Sequence, residues 1–138
     1  MKTLTLCAAL LISLSSVAAQ ADSETVTNLL QNYASQGATT PDEKQGEQLW
    51  QKTFNYDGEF SRRSCTSCHT KDLSAAGEHV KTGKPIKPMA TSSNSGRFTD
   101  SKKVEKWFKR NCLWTMDREC SVQEKANFLA YLNKTIKF

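Results

Sequence analysis

The feature that most constrains this chain is the pentapeptide CTSCH at residues 65–69, a C-x-x-C-H motif. Its spacing suits covalent haem attachment, because two thiols one helical turn apart can add to the two vinyl groups of the porphyrin. The adjacent imidazole of His69 then reaches the iron from the same side. The motif therefore predicts one haem c, attached through Cys65 and Cys68, with His69 as the proximal ligand.

Two other kinds of site also use a C-x-x-C pair. A thioredoxin-like dithiol would follow a strand in a βαβ unit, and the sequence shows no such unit. A zinc site would need four well-placed ligands, for which the further candidates are Cys112, Cys120 and His79. Haem attachment is favoured over both, since the chain also begins with an export signal.

The first 21 residues predict a secretory signal peptide, with Lys2 before an apolar run and small residues at Ala19 and Ala21. The run is too short to serve as a membrane anchor. Its removal leaves 117 of the 138 residues, which suits one domain, exported to the periplasm. The predicted organisation is a signal peptide at 1–21, an N-terminal helical extension at 22–45 and a haem-binding domain at 46–138.

Positive charge is concentrated in one part of the chain. The formal net charge is +5, and residues 81–110 carry nine Lys and Arg side chains against only Asp100 and Glu105. A one-sided basic field attracts acidic proteins or nucleic acid, and export argues against nucleic acid. We call residues 81–110 the basic segment, and the alternative for its lysines is a solubilising face.

Two helices are predicted before the motif. The first places apolar side chains at i, i+3, i+4 and i+7 between Val26 and Tyr33, and Gly37 closes it. The second is expected to begin with the Thr40 hydroxyl as N-cap and to continue to about Phe54.

Two further helices are predicted after an irregular segment at residues 71–98, which fits no regular period. A loop of this length in a small domain is usually functional. Asp100 caps the third helix, and a capping box at residues 121–124 opens the last. No strand pattern is convincing, so the predicted fold class is all-α.

Around the motif, the sequence resembles the class I cytochrome c fold. The run GEQLW at 46–50 matches that family's N-terminal helix, and FLAYL at 128–132 matches its C-terminal helix. The resemblance implies that these helices cross where Gly46 lets the backbones approach, with Trp50 and Tyr131 packed around the crossing. We therefore expect a class I cytochrome c-like helical domain around one covalently bound haem.

Several side chains outside the motif are expected to contact the haem. Pro88 resembles the family proline whose carbonyl orients the proximal imidazole. Arg97 is a candidate for pairing with a haem propionate or a bound anion, and a solvated arginine is the alternative. Trp107 is expected to wall a dry distal pocket together with Phe108 and Trp114, and plain core packing is the alternative there.

The sixth ligand of the iron separates electron transfer from small-molecule binding. Spacing alone favours Met116, which lies before the last helix, followed by Met89 and then His79. However, Met116 lies between Cys112 and Cys120, which we expect to form a disulfide in an exported protein. The disulfide is interpreted as a structural staple.

A second resemblance changes the choice of ligand. KTGK at 81–84, NSGRFTD at 94–100, the Cys112 and Cys120 pair and EKANF at 124–128 are similar to the sphaeroides haem protein family. The likeness covers about residues 46–132. It implies a high-spin haem whose sixth position is held by an asparagine when oxidised and opened to a diatomic gas on reduction. The matching residue is Asn94, whose own surroundings indicate only a turn former.

These observations lead to one expectation and two alternatives. We expect a monohaem cytochrome that accepts an electron, displaces Asn94 and binds O2 or NO. One alternative is an ordinary electron carrier with Met116 as permanent ligand, and the other is an enzyme that turns over a bound gas or peroxide. The resemblance also implies an acidic dihaem cytochrome c as electron donor, which the basic segment suits. A monomer or weak dimer is expected.

Overall fold

The computed structural model describes residues 24–133, which form five helices and two small antiparallel hairpins. In chain order the elements are α1 (Glu24–Ser35), α2 (Glu43–Gln51), β1 (Phe54–Asn55), β2 (Arg62–Arg63), α3 (Thr66–His69), β3 (Gly77–Glu78), β4 (Pro85–Ile86), α4 (Ser101–Met116) and α5 (Val122–Leu132). Phe54 lies opposite Arg63 in the first hairpin, and Gly77 lies opposite Ile86 in the second. The all-α prediction is confirmed, and the hairpins were not predicted. The predicted signal peptide lies outside the described residues.

The second helix begins later and ends earlier than predicted. Asp42, rather than Thr40, is the N-cap of α2, and its carboxylate accepts the backbone N–H of Gln45 at 2.9 Å. A carboxylate is a stronger cap than a threonine hydroxyl, and here it lies nearer to the first free N–H groups. The helix ends at Gln51 because the chain enters β1 at Phe54.

Helices α2 and α5 cross in contact at Gly46. A Cβ atom built on Gly46 would lie 2.1 Å from the backbone oxygen of Asn127, so only glycine fits there. The side chain of Asn127 also accepts the backbone N–H of Asp42 at 2.9 Å. Trp50 and Tyr131 pack beside the contact, with ring centroids 6.3 Å apart. The predicted crossing is confirmed, and we call it the helix crossing.

The last two helices have the predicted caps and the predicted disulfide. The Asp100 carboxylate accepts the N–H of Lys103 at 3.0 Å at the start of α4. A capping box formed by Ser121 and Glu124 opens α5. A disulfide between Cys112 and Cys120 joins the last turns of α4 to the start of α5.

Helix α1 packs on α4 and α5 and belongs to the same core. Val26, Leu29 and Tyr33 are buried along one face of α1, as the apolar spacing predicts. The Tyr33 hydroxyl donates to Glu105, and burial beside this carboxylate raises the pKa of Tyr33. Lys125 Nζ lies 2.7 Å from the same carboxylate. Within residues 24–133, no helix combines the length and the apolar character that a bilayer span requires.

Candidate haem site

The cysteine motif forms the short helix α3 and is held by serines on either side of its first cysteine. The N–H of His69 donates to the Cys65 carbonyl at 3.0 Å, which places the two thiols about one turn apart. Ser64 is buried and exchanges hydrogen bonds with Ser67, because each backbone N–H donates to the other hydroxyl at 3.0 and 3.1 Å. The geometry that covalent attachment requires is therefore built into the local backbone.

His69 presents an imidazole suited to metal binding. Its Nδ1 atom is buried and has no hydrogen-bond partner among residues 24–133, which is rare for a buried polar atom. Burial, together with the positive charge of Arg97, lowers the pKa of His69 to about 4. The ring is therefore neutral at physiological pH, and the neutral imidazole is the form that ligates metals.

The structure argues against the dithiol and zinc alternatives. Burial raises the pKa of Cys65 to about 12, whereas a redox-active dithiol needs an easily ionised thiol. Cys112 and Cys120 are consumed by their disulfide, and His79 lies exposed on the surface. Residues 24–133 bring no three His, Cys, Asp or Glu side chains together as a metal cluster. Two free thiols beside a buried, unpartnered imidazole fit haem c.

Trp50 packs directly on the predicted proximal ligand, which sequence reasoning did not anticipate. Its ring centroid lies 5.3 Å from that of His69, with 37° between the planes. Its indole N–H donates to the Thr70 carbonyl at 3.1 Å. The aromatic pattern at 46–50 predicted a helix-core role for this side chain, and no local signal connected it with His69.

Gly77 is a second residue that sequence reasoning missed. A Cβ atom on Gly77 would lie 1.9 Å from the carbonyl oxygen of Cys68, so the β3 backbone touches α3 directly. The glycine stands in an irregular stretch of the sequence, where nothing local distinguishes a close backbone contact from a turn. Its role is to let the second hairpin support the haem-binding helix.

The Pro88 carbonyl bonds to Asn94 and Arg97 rather than to His69. The Pro88 carbonyl accepts Arg97 Nε at 2.8 Å and Asn94 Nδ2 at 3.2 Å. These two donors occupy both lone pairs of the oxygen, while His69 Nδ1 is left without a partner. The hydrogen bond that the class I resemblance implied is therefore not formed in the described part of the chain, and this prediction is corrected.

The Arg97 side chain is half-buried and donates hydrogen bonds to backbone carbonyls. Besides Pro88, its guanidinium also donates to the Lys87 carbonyl, and burial lowers its pKa. Its positive charge also contributes to the lowered pKa of His69. The pairing of Arg97 with a haem propionate remains a prediction.

Asn94 occupies a turn, as its local sequence indicates. Its backbone N–H donates to the Ala90 carbonyl and its own carbonyl accepts the N–H of Arg97, both at 3.0 Å. The side chain is half-buried and makes the bond to Pro88 described above. The structure thus brings Asn94, Pro88 and Arg97 into one hydrogen-bonded loop, residues 88–97, which we call the Asn94 loop.

Trp107 lies at the surface of the part of the chain that the structure describes. It is 45% exposed, and the Arg110 guanidinium lies 5.2 Å from its ring centroid. Phe108 stacks on Phe128 at 6.1 Å, and Trp114 lies under Arg63 at 5.4 Å. The face of α4 that carries Phe108 packs on α5, and Trp107 lies on the solvent side of the helix. The role of Trp107 in a haem pocket therefore stays a prediction, and core packing describes Phe108.

The other ligand candidates differ in burial. Met116 is 9% exposed at the end of α4, and Met89 is half-buried with its N–H bonded to the Leu73 carbonyl at 2.9 Å. The Nδ1 atom of His79 accepts the N–H of Lys81 at 3.3 Å on the surface. His79 therefore has the solvated role expected of it, and Met116 is the buried thioether.

Comparisons with known proteins extend over most of the chain. Residues 36–132 match a family described as Domain of unknown function (DUF1924). Cytochrome c-type protein SHP of Cereibacter sphaeroides is 40% identical over 104 residues, which are 75% of this chain and 79% of that protein. Cytochrome c'' of Methylophilus methylotrophus is 46% identical over 69 residues, which are 50% of this chain and 48% of that protein.

Solved structures agree with these matches. Oxidised SHP, described as an oxygen binding cytochrome c, superposes with a TM-score of 0.69 at 40% identity, covering 78% of this chain and 95% of that chain. Oxidised cytochrome c'' from Methylophilus methylotrophus gives a TM-score of 0.71 at 33% identity, covering 84% and 98%. Both matches include nearly all of the matched chain, so the similarity concerns the whole domain and not the motif alone.

Proposed function

The chain belongs to the DUF1924 family and is a c-type cytochrome related to SHP and cytochrome c'', and we propose that its reduced form binds a diatomic gas. Cys65 and Cys68 would hold the haem covalently, and His69 would be its proximal ligand. When bound, haem supplies an iron that changes oxidation state and offers one further coordination position. In this proposal Asn94 holds that position in the oxidised protein and leaves it on reduction.

The weak attachment of the Asn94 side chain is the observation that carries the proposal. Within residues 24–133, the amide makes one hydrogen bond, from Nδ2 to the Pro88 carbonyl at 3.2 Å. Its neighbours Ser93, Ser95 and Gly96 are exposed, so the loop can move with little loss of packing.

The chemistry of the amide supports the same reading. A neutral amide oxygen is a hard, weak donor that tolerates ferric iron but competes poorly on ferrous iron, where softer ligands bind better. The relatives add support by homology, since SHP is described as oxygen binding and a cytochrome c'' structure as giving insight into haem-ligand detachment.

The burial of Met116 favours a second candidate function. A thioether that is 9% exposed at the end of α4 is a possible permanent ligand, which would make the protein an ordinary electron carrier. The two functions differ in the sixth ligand, and spectroscopy separates them.

The test compares Asn94→Val with Met116→Leu, each in the mature haem protein. Under the proposal, Asn94→Val changes the ferric coordination state, Met116→Leu does not, and the reduced wild type binds carbon monoxide. The electron-carrier alternative predicts the reverse: a sulfur-to-iron charge-transfer band that disappears in Met116→Leu and a ferric spectrum that Asn94→Val leaves unchanged.

We also propose that the protein receives its electron from an acidic redox protein, such as a dihaem cytochrome c, that docks on α4. The solvent side of α4 carries five exposed cations, Lys102, Lys103, Lys106, Lys109 and Arg110. The one carboxylate within the helix, Glu105, is bonded to Tyr33 and Lys125. Trp107 and Leu113, 45% and 42% exposed, lie among the cations and supply apolar contact area.

Charge reversal tests this docking surface. We expect Lys106→Glu to slow reduction by an acidic dihaem cytochrome c at low salt, whereas Lys44→Glu, at an exposed position on α2, has little effect. Equal effects of the two variants would contradict docking at α4, and binding to anionic lipid vesicles in preference to the protein would assign this face to a membrane.

Export to the periplasm completes the proposal. The mature protein is expected to begin at Asp22, which N-terminal sequencing of the periplasmic fraction would check. Retention of Met1 in the haem-loaded protein would contradict it.

A further inference from the structure

We propose that Trp50 is a positioning residue that fixes the orientation of the His69 imidazole from the helix crossing. Two contacts connect these residues. The indole ring lies 5.3 Å from the imidazole, and the indole N–H holds the following peptide at the Thr70 carbonyl, 3.1 Å away. Trp50 therefore restrains both the ring of His69 and the backbone that leaves it.

Trp50 is itself held rigidly. It is 4% exposed, and its ring packs against Phe128 and Tyr131 of α5, with both centroids 6.3 Å away. The contact between Gly46 and Asn127 leaves no space for α2 to slide over α5. Several contacts at the helix crossing thus hold the indole in place, so that loss of one neighbouring ring leaves it supported by the others.

The backbone after His69 requires such a restraint. Thr70 has φ +64° and ψ 174°, a positive-φ conformation that a β-branched residue seldom adopts. The indole hydrogen bond to its carbonyl keeps this peptide in place, together with the bond from the Thr70 hydroxyl to the Asp72 carbonyl at 2.7 Å. Loss of the indole donor would let the peptide relax and the imidazole turn.

No hydrogen bond within residues 24–133 fixes the Nδ1 atom of the His69 imidazole. This atom has no partner in the described residues, and the Pro88 carbonyl is taken by Asn94 and Arg97. Orientation of a ligating histidine is ordinarily set by the group that its second nitrogen contacts. In this proposal, the packing of the Trp50 ring on His69 takes the place of that contact.

The inference rests on haem attachment with His69 as ligand, and it does not depend on which residue is the sixth ligand. We would compare Trp50→Leu and Trp50→Phe with Phe128→Leu in the haem-loaded protein. Phe128→Leu is the matched control because Phe128 is 3% exposed and touches Trp50, but is not in ring contact with His69. Thermal unfolding would show that each variant folds.

The decisive readout is the set of hyperfine-shifted proton NMR signals of His69, which depend on imidazole orientation. We expect the signals to move in Trp50→Leu, to move less in Trp50→Phe, which keeps an aromatic ring, and to stay in place in Phe128→Leu. The carbon monoxide affinity of the reduced protein should change by about tenfold in Trp50→Leu, as for loss of other groups that orient a metal ligand.

Two results would overturn the inference. Equal shifts in Trp50→Leu and Phe128→Leu would reduce Trp50 to core packing, and unshifted signals in Trp50→Leu would show that something else orients His69. Either result is compatible with gas binding, so a failure here is distinguishable from a failure of the proposed function.

Discussion

The helix crossing and the Asn94 loop hold their side chains by different forces. At the crossing, Trp50 packs against three other aromatic rings. The two helix backbones meet at Gly46 so closely that no side chain fits between them. In the loop, Asn94 and Arg97 are held by hydrogen bonds to one carbonyl, that of Pro88. Close packing holds the side chains at the helix crossing, whereas a few hydrogen bonds hold those of the Asn94 loop.

Under the proposed function, this difference lets one site combine a firm ligand with a labile one. A close-packed apolar side chain resists displacement, because moving it would leave a void or clash with its neighbours. A hydrogen bond in a half-exposed loop can be exchanged for one to water at a small net free energy. A ligand backed by the crossing stays in place, and a ligand on the loop can leave.

The largest effect is expected at the crossing itself. Gly46→Ala would place a Cβ atom 2.1 Å from the Asn127 oxygen, on backbone that cannot move aside. We expect the free energy of unfolding to fall by about 3 kcal/mol, the upper part of the range for overpacking. Denaturant unfolding of the haem-loaded protein measures this.

Gly96→Ala in the loop is the control, since its new Cβ atom would lie no closer than 3.6 Å to Asn94 Oδ1. We expect a change within about 0.5 kcal/mol there. Similar stabilities of Gly46→Ala and Gly96→Ala would contradict the proposed difference in packing between the helix crossing and the Asn94 loop.

The next effect concerns the disulfide that joins α4 to α5. We expect the double change Cys112→Ser and Cys120→Ser to lower the free energy of unfolding by about 2.5 kcal/mol, because a closed loop of this length restricts the unfolded chain. Urea unfolding with and without a thiol reductant provides the control: the wild type should respond to reductant, and the variant should not. A variant as stable as the oxidised wild type would show that α4 is held on α5 by packing alone.

A smaller effect is expected for the anchor of the loop. Arg97→Ala removes the charged donor to Pro88 and Lys87, which should cost about 1.5 kcal/mol and speed amide hydrogen exchange in residues 91–97. Amides of α2 and α5 should exchange as before. Arg62→Ala, at an exposed position in β2, is the control. Faster exchange throughout α2 would show that the two regions are coupled after all.

The smallest effect is a pH dependence at the start of α5. Hydrogen bonds from Arg118 hold the pKa of Glu124 below its usual value near 4.5, with help from the Ser121 cap. A lowered pKa in the folded state stabilises the protein above the unfolded pKa, and this stability is lost as pH falls through the folded pKa.

We expect the stability difference between wild type and Glu124→Gln to be below about 1 kcal/mol at neutral pH and to shrink below pH 4.5. Unfolding curves from pH 7 to pH 3 measure it. A difference that grows on acidification would contradict the assigned sign.

Local signals predicted much of the fold. The caps at Asp100 and Ser121, the apolar face of α1 and the haem-binding motif each involve residues a few positions apart, so the sequence carries them directly. The crossing at Gly46 was predicted by family resemblance. The start of α2 was misplaced because Thr40 and Asp42 are both good caps, and the choice depends on where the chain turns.

Contacts that no local pattern encodes account for the correction at Pro88. Pro88 was assigned to His69, but its carbonyl accepts hydrogen bonds from Asn94 and Arg97. This outcome does not follow from periodicity or spacing, because it depends on how the chain folds back on itself.

By itself, the sequence determined that this chain is a helical haem c protein, since the motif and its helical turn are chemistry within five consecutive residues. Only the tertiary structure decided what surrounds His69: Trp50 packs on its ring, Gly77 lies beneath its helix, and the Pro88 carbonyl bonds to other residues. The physical reason is the separation along the chain of the residues that interact. Covalent spacing and helix caps act between near neighbours in the chain, whereas close packing joins residues that only folding brings together.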